Sequence, residues 1–261
     1  MSGVREPAVA GQFYPADPLE LRRMLADFLA AARAAGGVPK AVIVPHAGYI
    51  YSGPVAAAAY ALLAPARGVI TRVVLLGPAH RVGFSGLALS GADHFATPLG
   101  RVPVARAAAE QLSGLPQVQV LDAAHAHEHS LEVQLPFLQE VLGDFTIIPL
   151  VVGEAEPEEV GAVLERLWGG PETLIVVSSD LSHYHDYATA LKLDRETSDA
   201  IEQLRPQDIE YDSACGRNPV AGLLHVARKK GLTARTVDLR NSGDTAGARD
   251  RVVGYGAYVF D

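Results

Sequence analysis

Four short runs of aliphatic and β-branched residues constrain this chain more than anything else in it: AVIV (41–44), RVVLLG (72–77), FTIIPLVV (145–152) and TLIVVS (173–178). Each is apolar nearly throughout, without polar residues alternating, which predicts strands covered on both faces. Between and after them lie stretches of helical length, PVAAAAYALLA (54–64), LEVQLPFLQEVL (131–142), PEEVGAVLERLW (157–168) and DRETSDAIEQL (194–204), with apolar positions three and four apart. This alternation predicts an α/β sheet with helices packed on it. Pro136 weakens the second helix. LTARTVDLR and RVVGYGAYVF read as two further strands flanking the Gly/Asp-rich turn NSGDTAGARD. No polar, Pro/Gly/Ser-rich linker interrupts the pattern, so residues 1–261 read as one domain. A chain of this mass is expected to expose about 11,000 Å² and bury roughly 70% of its extended surface, enough to fold without a disulfide or structural metal.

Composition removes several function classes. A single cysteine makes no internal bridge and no multi-thiolate zinc finger, so a bound metal here is expected to be functional. With 22 basic against 30 acidic residues the net charge is −8, and Arg228, Lys229 and Lys230 form the one basic cluster, which speaks against nucleic acid as a partner. No apolar stretch has the length of a membrane span, and MSGVREPAVAGQFYPADP lacks the layout of a signal peptide. The expectation is a soluble, cytoplasmic protein with no membrane partner.

The polar residues that carry chemistry follow the predicted strands directly. AVIV runs into Pro45, His46, Ala47 and Gly48; RVVLLG into Pro78, Ala79 and His80; TLIVVS into Ser179, Asp180, Leu181, Ser182 and His183. In open α/β sheets ligands bind beyond the carboxyl ends of the strands, where such loops converge. In HAHEHS, His125, His127 and His129 alternate, which allows either a shared face with metal binding by His125 and His127 or a solvated loop. Glu128 and His129, nearest the following helix, are expected to line the cleft. His185 reads as a surface residue, His94 and His225 as structural ones. Cys215 precedes a predicted helix, whose amide terminus is expected to favour the thiolate; Gly216 allows close approach and Arg217 adds positive charge. Two imidazoles and a thiolate make a plausible three-donor site for copper, zinc or iron, joined only by the fold.

GQFYPADP, VPHAGYIYSGPVAAAAY, LLGPAHR, EHSLEVQLPFLQ, TIIPLVVG, VVSSDLSHY and ACGRNP, in this order along the chain, together resemble the Memo family. That family is similar in fold to the class III extradiol dioxygenases, whose Fe(II) is held by two histidines and a glutamate. The resemblance implies a single three-layer α/β/α domain with a mixed, mainly parallel sheet. It implies a cleft with His46, His80 and Cys215 as metal ligands and His183 lining it, copper or iron as cofactor, and redox chemistry. It further implies phosphotyrosine-peptide recognition in the animal members and, in bacteria and archaea, a system with a radical-SAM enzyme. Two positions depart: Phe13 stands where animal members carry tryptophan, and Cys215 where a dioxygenase presents its glutamate.

Three functions are open on this reading. In a metal-dependent redox protein, His183 is the acid or base and Asp180 orients a histidine or holds the loop. In a binding module, the same cleft takes a small-molecule or peptide ligand through an anionic or aromatic group, with Arg81, Arg217 and the histidines supplying charge and Phe13, Tyr49 and Tyr51 as walls. In a nucleophilic enzyme, Cys215 attacks with His80 or His46 as base.

Overall fold

All four apolar runs are strands in the structure, a computed structural model that describes residues 3–33 and 35–261. In chain order the strands are β1 (Val4–Arg5), β2 (Ala41–Val44), β3 (Arg72–Pro78), β4 (Leu87–Leu89), β5 (His94–Thr97), β6 (Gly100–Pro103), β7 (Val118–Val120), β8 (Thr146–Val152), β9 (Thr173–Ser178), β10 (His183–His185), β11 (Ala234–Asn241) and β12 (Val252–Phe260). The helices are α1 (Pro18–Ala31), α2 (Tyr49–Tyr60), α3 (Ala108–Gln111), α4 (Asp122–Ala126), α5 (Leu135–Leu142), α6 (Pro157–Leu167), α7 (Tyr187–Glu202) and α8 (Arg217–Lys230).

The large sheet has the order β10-β12-β2-β9-β3-β8-β4-β7, with β11 also paired to β12. Its centre, β2-β9-β3-β8, is parallel throughout. Antiparallel pairings appear where β12 joins β2 and β4 joins β8, so the sheet is mixed. The continuous apolarity of the central strands follows from what each face meets. On β2, Val42 and Val44 pack into the layer holding α1, α2 and α5, while Ala41 and Ile43 pack into the layer holding α6 and α8. On β9, Leu174 and Val176 face the first layer, Ile175 and Val177 the second. The result is a three-layer α/β/α arrangement. The accessible surface, 10848 Å², agrees with the value expected from mass, about 11,000 Å².

Two helices differ from the sequence reading for identifiable reasons. Residues 132–134 form a 3-10 turn, and α5 starts at Leu135 with Pro136 in its first turn, where the missing N–H has no helical partner to lose. Conversely, α2 begins five residues before Pro54, its first amide donating to the Phe13 carbonyl (2.7 Å). Loss of one hydrogen bond at Pro54 is tolerated because the surrounding helix is buried on nearly every side.

A small sheet absent from the sequence reading, β1-β5-β6, anchors the N-terminal segment. Arg5, on β1, reaches inward to the Glu132 carboxylate and to the backbone oxygens of Glu128 and His125. Glu132 is fully buried and also accepts from Tyr14 Oη and from the amides of Ala8 (2.7 Å) and Val9 (3.0 Å). Among the described residues no helix is long and apolar enough to cross a membrane.

Candidate metal centre and cleft

Parallel register brings the strand ends together. Val44 lies opposite Ser178, and Ser179 N donates to Val44 O (2.9 Å), so the loops after β2 and β9 rise side by side. The loop after β3 carries His80 next to them, and the turn before α8 brings Cys215 over. Ligand atoms of His46, His80 and Cys215 all lie within 4.8 Å of one another. The His46 and His80 rings are 5.1 Å apart, and Cys215 Sγ is 3.2 Å from His46 Nε2. At Gly216 a Cβ would meet Ser179 Cβ at 2.6 Å, so a glycine is what lets the cysteine turn close on the end of β9.

Hydrogen bonding fixes which nitrogen each imidazole offers. Ser178 Oγ donates to Ser130 O (2.7 Å), which leaves it only an acceptor towards Gln134 Nε2 (2.8 Å) and His46 Nδ1 (2.8 Å). His46 therefore carries its proton on Nδ1 and presents a bare Nε2 to the sulfur. Gln134 is held in turn by Pro45 O, to which Nε2 donates (2.9 Å), and by Tyr60 Oη, which donates to its Oε1 (2.8 Å). His80 Nδ1 donates to Glu128 Oε1 (2.9 Å), freeing its Nε2. The Glu128 carboxylate also accepts the backbone amides of His80, His129 and Ser130. Imidazoles oriented from behind by an oxygen acceptor are the usual support of a metal-binding pair. The donor set, two imidazole nitrogens and a thiol converging on one point, fits a transition-metal ion.

Electrostatics separate the groups. Burial, with lesser contributions from the neighbouring histidines, holds His46 well below the ordinary imidazole range and so neutral. Burial also lowers His129, to about 4. For Glu128, burial alone acts upward, but the hydrogen bond and charge of His80 and the backbone amides outweigh it and leave the carboxyl at about 2. Asp180, buried, is raised to about 6 although it accepts the His46 amide (2.7 Å). Burial and then the Asp180 charge push the Cys215 thiol up, against the hydrogen bond it accepts from Asp180 N (3.3 Å). This reverses the expectation of a lowered thiol: Gly216, not Cys215, caps α8, and desolvation outweighs the helix terminus.

The donors line a cleft of about 1150 Å³, His46 buried, Cys215 half-buried and His80 exposed. Phe13, Tyr51, His129, Asp180 and His183 line it as well; Phe13 meets the His129 ring edge-on at 4.9 Å, and His183 Nδ1 donates to Leu181 O (2.8 Å), leaving Nε2 free. Four expected cleft residues stand elsewhere. Tyr49 points into the core, its Oη donating to Val133 O (2.6 Å) and its ring against Phe137. Arg217 donates to Ile209 O (2.9 Å) and lines a separate groove with α6. Arg81 is exposed and does not line the cleft. Glu128 lies behind His80. Of the other histidines, His125 is buried with Nε2 on Ala88 O (2.9 Å), His127 is exposed, and His185 lines the cleft.

Sequence reading missed Ser178 and Gln134, both inside apolar-looking elements, the buried Tyr255 on the cleft lining, and the outer wall formed by Tyr184, Tyr211 and Arg251. Tyr184 has φ 64°, a conformation that costs a bulky residue about 1–2 kcal/mol.

Fold and site together define an α/β/α protein with a histidine and cysteine cluster at the carboxyl edge of its parallel strands. The family model described as Memo-like protein matches residues 5–259, and the chain belongs to the Memo family. It is 38% identical to a MEMO1 family protein of Aquifex aeolicus over 98% of this chain and 99% of that one. It is 37% identical to relatives from Methanosarcina barkeri (99% and 100% covered) and Ignicoccus hospitalis (98% and 98%). A solved structure of an uncharacterised Escherichia coli K12 protein superposes with a TM-score of 0.49 at 13% identity, over 82% of this chain and 98% of that chain.

Proposed function

We propose that the protein is a metal-binding redox protein that holds copper or iron on His46 Nε2, His80 Nε2 and Cys215 Sγ. One observation carries the reading: three donor atoms of the right types lie within 4.8 Å, and each imidazole is held through Nδ1 by an oxygen behind it, which leaves Nε2 for that point. Bound there, such an ion supplies one-electron chemistry; zinc satisfies the same donors without it. The chain's own residues do the rest. Asp180 holds the His46 loop through its backbone amide. In this reading His183 gives or takes a proton from a bound molecule, supported by its place in the cleft lining with Nδ1 held on Leu181 O. The upward-shifted thiol counts against Cys215 acting as a nucleophile.

The ligand is a small molecule or peptide segment taken into the cleft, and co-operation with a radical-SAM enzyme belongs to the same proposal, by resemblance to the bacterial and archaeal members. The test is metal analysis of protein purified without chelator, wild type beside His46→Ala and Cys215→Ser. Loss of most of the metal in both variants is expected; equal content in all three overturns the site.

A further inference from the structure

The wall that β10 gives to the cleft breaks the alternation of a strand. Neighbouring side chains of a regular strand point to opposite faces, yet His183, Tyr184 and His185 all line the cleft. Pairing with β12 slips between His183 and His185, and Tyr184 sits at the slip with φ 64°, where glycine is the usual occupant. Bulges of this kind re-aim side chains beside binding sites. Here the product is a tyrosine left 64% exposed at the mouth of the cleft. Arg251, next to the strand residue that pairs with His185, stacks on it, with Cζ 5.2 Å from the ring centroid. Among the described residues Arg251 is the only arginine or lysine lining the cleft, and it forms no ion pair.

We propose that Arg251, held on the Tyr184 ring, anchors a carboxylate of the molecule the cleft takes in, so that the ligand is a small organic monoanion. A guanidinium meets a carboxylate through two parallel N–H donors, a match of geometry as well as charge. One guanidinium offsets one negative charge, and Glu210 and Asp212 line the same cleft, so apart from the charge of the ion proposed in it the cleft favours a monoanion over a phosphate dianion. This replaces Arg81 and Arg217, the cations expected from sequence, with one the sequence did not single out. The inference rests on the cleft being the working site proposed above, but not on which ion it holds.

The test is saturation-transfer NMR on the full chain with matched pairs, benzoate and benzamide, hydrocinnamate and its amide, cyclohexanecarboxylate and its amide, with metal content measured on each sample. At least one carboxylate is expected to bind tenfold or more tighter than its amide. Arg251→Gln should erase that preference, Arg251→Lys should keep part of it, and inorganic phosphate at equal concentration should not displace the carboxylate. Tyr184→Gly should weaken the preference without lowering Tm, since it relieves the left-handed backbone. The proposal is overturned if no pair discriminates, if Arg251→Gln retains the preference, if phosphate displaces the carboxylate, or if Tyr184→Gly lowers Tm and leaves the preference intact. Protein that takes up no metal yet discriminates the pairs fails the metal reading alone; metal-loaded protein that does not discriminate fails this one alone.

Discussion

The floor and the rim of the cleft are made of similar residues on opposite terms. Beneath the floor, Ser178, Gln134, Glu128 and Glu132 are buried, and each spends its hydrogen-bonding capacity on named partners a fixed distance away. At the rim, Tyr184 is 64% and Tyr211 73% exposed, and Arg251 rests on a ring instead of a carboxylate. The floor fixes where the donors point, because a buried polar group without a partner is costly. The rim adds little to stability, and its side chains are free to be shaped by what enters.

If that contrast is real, substitutions should rank by depth. The largest effect is expected for Glu132→Ala, which leaves Arg5 buried without its carboxylate: about 3–5 kcal/mol of stability lost, read by urea unfolding. A loss under about 1 kcal/mol would break the comparison at its base. Next is a pH effect at His125, which burial lowers to about 4. The folded protein refuses a proton that the unfolded chain accepts below about pH 6.5. Stability from this residue is therefore full above about pH 6.5 and falls as pH drops towards 4, by about 3 kcal/mol in all. His125→Gln, which keeps a donor for Ala88 O, should flatten that part of the profile; an unchanged slope would refute the assignment. Ser178→Ala removes the acceptor shared by His46 Nδ1 and Gln134. It should cost about 1–3 kcal/mol and weaken metal retention roughly 10–100-fold, measured by competition with a chelator. Tyr211→Ala, at the rim, should change stability by no more than about 0.5 kcal/mol, and a larger loss would show that the rim is structural after all.

Legibility in the sequence followed the same divide. The central strands were readable because burial on both faces demands unbroken apolar runs, and β2 and β9 occupy the runs read from sequence, residue for residue. His46, His80, Asp180 and Cys215 were readable as polar residues breaking out at strand ends or before a helix, and the fold brings them together. Ser178 and Gln134 gave no such signal, because a buried serine closing a strand and a glutamine ahead of an apolar helix look alike whether or not they orient an imidazole. Tyr49 and Arg217 were misplaced for a different reason. Both adjoin cleft residues in sequence, but direction on a helix is set by what packs against it, Phe137 for the tyrosine and Ile209 O for the arginine. Tyr184 and Arg251 depend on a register slip between two strands, which no single-strand pattern records.

The proton that burial and Asp180 keep on Cys215 has a practical consequence. Oxidants and alkylating agents attack the anion of sulfur, so a thiol kept protonated is slow to be spoiled by either.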